Sequence, residues 1–83
     1  MSRAAAPETR NPLLALPAAH DLRALLIEQP ETRRRLHALL RALGDQASER
    51  AEDSWRRRKG PMAAYWRAVS IYARHIAAVV GTP

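Results

Sequence analysis

From Met62 to Val80, apolar residues recur at helical spacing over about five turns, and this segment constrains the fold more than any other. Met62, Tyr65, Trp66, Val69, Tyr72, Ala73, Ile76, Val79 and Val80 follow the period, and Ala64, Ala68, Ile71 and Ala78 add a second face of mostly small residues beside it. Only Arg67, Ser70 and Arg74 form a polar strip. A helix apolar over most of its circumference is either central in its own fold or shared between chains. The segment has the length of a membrane span, but Arg67, Arg74 and His75 interrupt it, which predicts a soluble helix and a cytoplasmic protein.

What remains must pack around that helix. Asn11-Pro12 predicts a short helical turn through Leu16, with proline at its first position. A first helix is predicted from Pro17 or Ala18 to about Gln29, with Leu22, Leu25 and Leu26 on one face, and Pro30 ends it. A second is predicted from Pro30 to Leu43, where Leu36, Leu39, Leu40 and Leu43 make an i, i+3, i+4, i+7 stripe. Gly44 reads as its C-terminal cap and Asp45 as the next N-cap. A third follows over Gln46 to Lys59, with Ala47, Ala51 and Trp55 as a thin stripe, before Gly60-Pro61 breaks the chain. The expected fold is all-α: a small bundle of three or four helices over residues 12–83, with a flexible N-terminal arm over residues 1–11.

With 83 residues the chain has room for one core, and no cysteine staples it. The same absence removes thiol catalysis and Cys-containing zinc sites. His20, His37 and His75 lack metal-ligand spacing, and glycine occurs only at 44, 60 and 81, so no phosphate-cradling loop exists. His37 reads as a surface residue beside the leucine stripe, and His75 as packing beside Ile71. These readings predict no enzyme activity, no catalytic or metal site and no cofactor.

The formal charge is +6, and 13 of the 14 strong bases are arginine. Arginine pairs bidentately with phosphates and carboxylates, although a GC-rich coding sequence produces the same bias. Two runs stand out. Arg56-Arg57-Arg58-Lys59 closes a predicted helix, where cations gain about 0.3–1 kcal/mol from the macrodipole. Arg33-Arg34-Arg35 opens one, where the dipole opposes them and Glu31 offsets only part of the cost. With Arg67 and Arg74, the two runs make a candidate basic face for a phosphate backbone. Trp55 and Trp66 are candidate stacking platforms, but they fall on apolar stripes, and core packing is the favoured reading. A helix-turn-helix around Gly44 fails: its later core positions fall near Arg50 and Asp53, and Glu49, Glu52 and Asp53 would face the phosphates.

The stretch Ala51–Val80 resembles a segment of small helical proteins from bacterial mobile elements, particularly integrative and conjugative ones. Ser54-Trp55-Arg56, Pro61-Met62-Ala63-Ala64-Tyr65-Trp66 and Ile71-Tyr72-Ala73 carry the resemblance. It implies a role in element maintenance, regulation, transfer or the countering of host defence, and it assigns no functional residue.

Two functions follow as expectations. The first is a non-catalytic accessory protein that binds nucleic acid, DNA ahead of RNA, through the arginine clusters, with a regulatory role in a mobile element. The second is a protein–protein module, such as a small inhibitor or adaptor, that docks a helix face on a larger host protein. Met62, Tyr65, Trp66, Val69, Tyr72 and Ile76 are the candidate partner surface, which a homodimer would also use. Peripheral membrane binding is a third, less favoured class.

Overall fold

The structure, a computed structural model, describes residues 11–81. Residues 1–10 of the expected arm lie outside the described residues. A 3-10 turn at Pro12–Ala15 leads into α1 (Pro17–Leu26), α2 (Pro30–Arg56) and α3 (Gly60–Gly81). No strand occurs among the described residues. The prolines act as the sequence predicts: the turn, α1 and α2 each start with one, and Pro61 is the second residue of α3. In the first turn the missing N–H is no loss, and the fixed φ suits a helix.

α1 stops at Leu26, three residues before its predicted end. The amides of Ile27 and Gln29 still close turns onto Arg23 and Leu26, and Gln29 leaves helical geometry ahead of Pro30 (φ −132°, ψ 67°).

The larger departure is at Gly44. The sequence predicts a helix end there and an N-cap at Asp45, but α2 runs through both as one helix of 27 residues, about 40 Å long. Gly44 is buried where α2 meets α3. A Cβ on it would lie 3.0 Å from Cγ of Arg74 and 3.3 Å from the carbonyl oxygen of Ser70. Glycine costs about 1 kcal/mol of helix propensity relative to alanine. Here the missing side chain lets two backbones approach, and that packing offsets the cost.

α2 and α3 form an antiparallel hairpin joined by Arg57, Arg58 and Lys59. Its seam is built from small residues: Gly44, Ala47 and Ala51 on α2 meet Ala63, Ser70, Ala73 and Ala77 on α3, and all are buried. α3 is central, as its period predicts. Val79, on the side of α3 turned away from α2, is buried where α1 and the 3-10 turn pack. Asn11, itself buried, donates from Nδ2 to the carbonyl oxygen of His75 (3.1 Å) and ties the turn to α3. Asn11 therefore belongs to the folded domain rather than to the arm.

Side chains cap the C-terminus of α3, where carbonyls lack intrahelical partners. Arg33 Nη1 donates to Gly81 O (3.2 Å), Arg23 Nε donates to Val79 O (3.3 Å), and His37 Nδ1 lies 2.8 Å from Ala77 O. His37 is thus half-buried against α3 rather than a free surface residue.

The core is thin. Among the described residues, five of the eight buried apolar residues are alanine, and the largest side chain with essentially no exposure is Val80, at 1%. Eleven large apolar or aromatic residues among those described are exposed instead. The molecule is flat, 44 × 38 × 17 Å along its principal axes, its shortest extent about one and a half helix diameters.

Candidate functional site

Two cross-helix pairs define the two broad sides of the slab. On one, Arg74 Nη2 donates to Asp45 Oδ1 at 3.2 Å. On the other, the Arg50 guanidinium lies 5.7 Å from the Trp66 ring centroid, within cation–π range. Each residue turns a helix by about 100°, so every other side chain can be placed relative to the seam.

On α2, Leu36, Leu39, Leu40 and Leu43 fall on the Arg50 side. This is the amphipathic stripe read from the sequence. Leu36 and Leu40 are half-buried against the hairpin, while Leu39 (67%) and Leu43 (48%) are exposed. Together they line a shallow depression of about 330 Å³. The stripe is correctly helical, but it sits beside the seam, and nothing covers it among the described residues.

Of the six predicted partner residues on α3, Met62, Trp66 and Val69 lie on the same side, and Tyr65, Ile76 and Tyr72 continue round the helix toward the edge turned away from α2, where Ile76 lines the cleft beside α1. Met62, Tyr65, Tyr72 and Ile76 are exposed, and Trp66 and Val69 are half-buried. Tyr65 and Trp66 meet edge-to-face, with centroids 5.0 Å apart and planes at 76°. Leu39, Leu43, Tyr65, Tyr72 and Ile76, with the half-exposed Leu36, Leu40, Trp66 and Val69, thus make an apolar surface that starts on the Arg50 side of α2 and runs round α3. α3 contributes no charge to it. Sequence reasoning named the α3 half as a candidate partner surface and read the α2 half only as an amphipathic stripe, because periodicity reports a face and not what covers it.

The predicted basic residues do not form one patch. Arg33 holds the α3 C-terminus. Arg34 Nη2 and Arg35 Nε both donate to Glu31, at 2.9 and 3.1 Å, and these two cations hold its carboxyl below the ordinary 4.5. Arg56 and Arg57 pair with Glu52 and Asp53 at 3.3–4.0 Å, and Arg74 pairs with Asp45. Arg58, Lys59 and Arg67 have no ion pair among the described residues. These pairings also account for the cations at the start of α2. The antiparallel hairpin places the negative end of α3 beside them, so Arg33 serves a neighbouring dipole rather than its own.

At the hairpin tip, Trp55 is 70% exposed, against the expectation that it packs in the core. Ala47 and Ala51 of its stripe are buried, but one turn later the seam has ended and α3 offers no surface opposite. Below Trp55 the chain turns through a Schellman-type close, in which the amide of Arg58 reaches Trp55 O and that of Lys59 reaches Ser54 O. Arg58 adopts a φ of 59°, the left-handed geometry that glycine fills at least cost. Trp55, Arg56, Arg58 and Gly60 line an open cleft of about 470 Å³.

A second cleft, of about 240 Å³, lies between α1, the 3-10 turn and α3, and is lined by Leu13, Leu16, Leu22, Ile76 and Val79 among others. No group of three or more His, Asp or Glu is placed to share a metal ion among the described residues. No described helix is long and apolar enough to cross a membrane. Comparison with protein-family models, curated proteins and solved structures finds no match for this chain.

Proposed function

We propose that the protein is a non-catalytic helical interaction module whose apolar face docks against protein, and that a second copy of the chain occupies this face. The distribution of side-chain size carries the reading. The seam buries alanine, serine and glycine, while Leu39, Leu43, Tyr65 and Tyr72 stand in solvent. The helices pack side by side in a flat arrangement only 17 Å thick, which leaves their broad side without a covering layer among the described residues. Monomeric proteins rarely leave so large a contiguous apolar area uncovered.

A second copy suits the face in three ways. Two antiparallel hairpins stacked on their apolar sides make a four-helix bundle, and a two-fold axis lets one patch serve both chains. At roughly 80 Å² apiece, its nine side chains offer about 700 Å² per chain, near the ~800 Å² per partner of a standard interface. The cation within it, Arg50, already lies over Trp66, so the +6 charge of each copy is largely carried elsewhere.

A dimer that folds as it assembles melts at a temperature that rises with protein concentration. Thermal melts across a hundredfold range of concentration test this. The wild type is expected to show the rise, and a Leu39→Glu, Tyr72→Glu double variant to lose it and melt lower. A wild-type melt independent of concentration overturns the second copy as occupant. The face would then be left to a host protein, for which an affinity capture with the same double variant as control is the measurement.

A further inference from the structure

We infer that the hairpin tip is a separate binding site for single-stranded nucleic acid, with a base stacked on Trp55 and the adjoining phosphates on Arg58 and Lys59. The tip lies beyond the end of the seam, so the site does not depend on how the apolar face is filled.

Three observations converge there. Trp55 presents its indole to solvent at the last turn of α2, where no neighbouring helix covers it. Its surroundings form a cleft of a size that holds a small ligand and are walled by the Arg56 and Arg58 side chains. The charges around it are also unevenly matched. Glu52 and Asp53 engage Arg56 and Arg57, while Arg58 and Lys59 follow with no ion-pair partner among the described residues. Arg58 lines the cleft with Trp55, and Lys59 follows it in the turn; unengaged cations close to a flat aromatic surface are the elements that single-strand binders combine, because every base has a π-face and every nucleotide a phosphate.

The same parts argue against the other anionic partners. A duplex keeps its bases stacked on one another and offers Trp55 none. A lipid surface is met by several apolar side chains projecting together, whereas Trp55 is the single apolar side chain lining this cleft. Arg58 strengthens the assignment without carrying it. A long cationic side chain occupies a left-handed position, while the tip's glycine stands two residues later, at Gly60.

The test is fluorescence anisotropy of a fluorescein-labelled ten-nucleotide oligothymidylate titrated with the full chain at two salt concentrations. Salt-dependent binding is expected, and Trp55→Ala should weaken it by about tenfold. Arg58→Gly should weaken it severalfold and flatten the salt slope by about 0.7 for each phosphate it no longer neutralises. Because glycine suits the φ at 58, that variant should melt at or above the wild type, which separates weakened binding from impaired folding. Arg41→Gln removes one exposed charge from the middle of α2 and should change affinity by less than about twofold. Duplex of the same length and phosphatidylserine vesicles are the comparison ligands. The proposal is overturned if Trp55→Ala binds like the wild type, if Arg41→Gln and Arg58→Gly weaken binding equally, or if duplex or vesicles bind as tightly as the single strand.

Discussion

Arg33, in the first turn of α2, donates its guanidinium N–H to the carbonyl oxygen of Gly81 at the far end of the chain, 3.2 Å away. The antiparallel hairpin makes this possible, because it sets the start of one helix beside the end of the other. A cation misplaced with respect to its own helix dipole becomes a cap for its neighbour's.

Arg33→Ala is therefore expected to destabilise the fold by about 1 kcal/mol, the range for a partly exposed charge-assisted hydrogen bond at a helix end. Arg41→Ala, on an exposed position of the same helix, should stay within about 0.5 kcal/mol of the wild type. Urea unfolding followed by circular dichroism measures both.

Gly44→Val tests the close approach of the helices. The side chain would press on the Ser70 carbonyl, which is backbone and cannot turn aside, and on Arg74 Cγ. Overpacking of this kind costs about 1–3 kcal/mol. A cap reading of Gly44 would instead have valine shorten α2, lowering helical ellipticity in the folded state. The expected result is unchanged ellipticity with a lower denaturant midpoint.

Glu31 gives the fold a defined response to acid. Arg34 and Arg35 hold its folded pKa below 4.5, so the ionised form is favoured in the folded state. Its contribution to stability is present above about pH 4.5 and is lost as pH falls through the lowered value. The difference in melting temperature between the wild type and Glu31→Gln should be constant near neutrality and shrink toward zero in acid. A difference that widens in acid would contradict the pairing.

Arg58→Gly should raise stability by about 1 kcal/mol, since glycine carries no Cβ into the left-handed region. A chemical denaturation midpoint at or above that of the wild type is the expected result, and a clear fall would show that the Arg58 side chain contributes more to the turn than its backbone costs.

Much of the fold was legible in the sequence, because prolines and helical periods are local signals. Pro12, Pro17, Pro30 and Pro61 mark the element starts, and the long period from Met62 identifies the central helix. Gly44 was not legible. A glycine that ends a helix and one that admits a neighbouring helix look alike until the partner residues, Ser70 and Arg74, are placed opposite it. The leucine stripe was ambiguous for a related reason: Leu39 and Leu43 are spaced as core residues are, and only the position of α3 shows that the small residues Gly44, Ala47 and Ala51 took the seam. The candidate surface was half visible, through Tyr65 and Tyr72. Trp55 was hidden, because its exposure depends on α2 extending a turn past the last opposing residue of α3.

The most direct test of the second copy as occupant of the apolar face is the solution mass of the unmodified chain by sedimentation equilibrium, from about 1 to 100 µM, the range in which micromolar association is populated. A mass that rises to twice the 9.3 kDa of the chain is the expected result. A folded, cooperatively melting species that stays at 9.3 kDa across the whole range would contradict it.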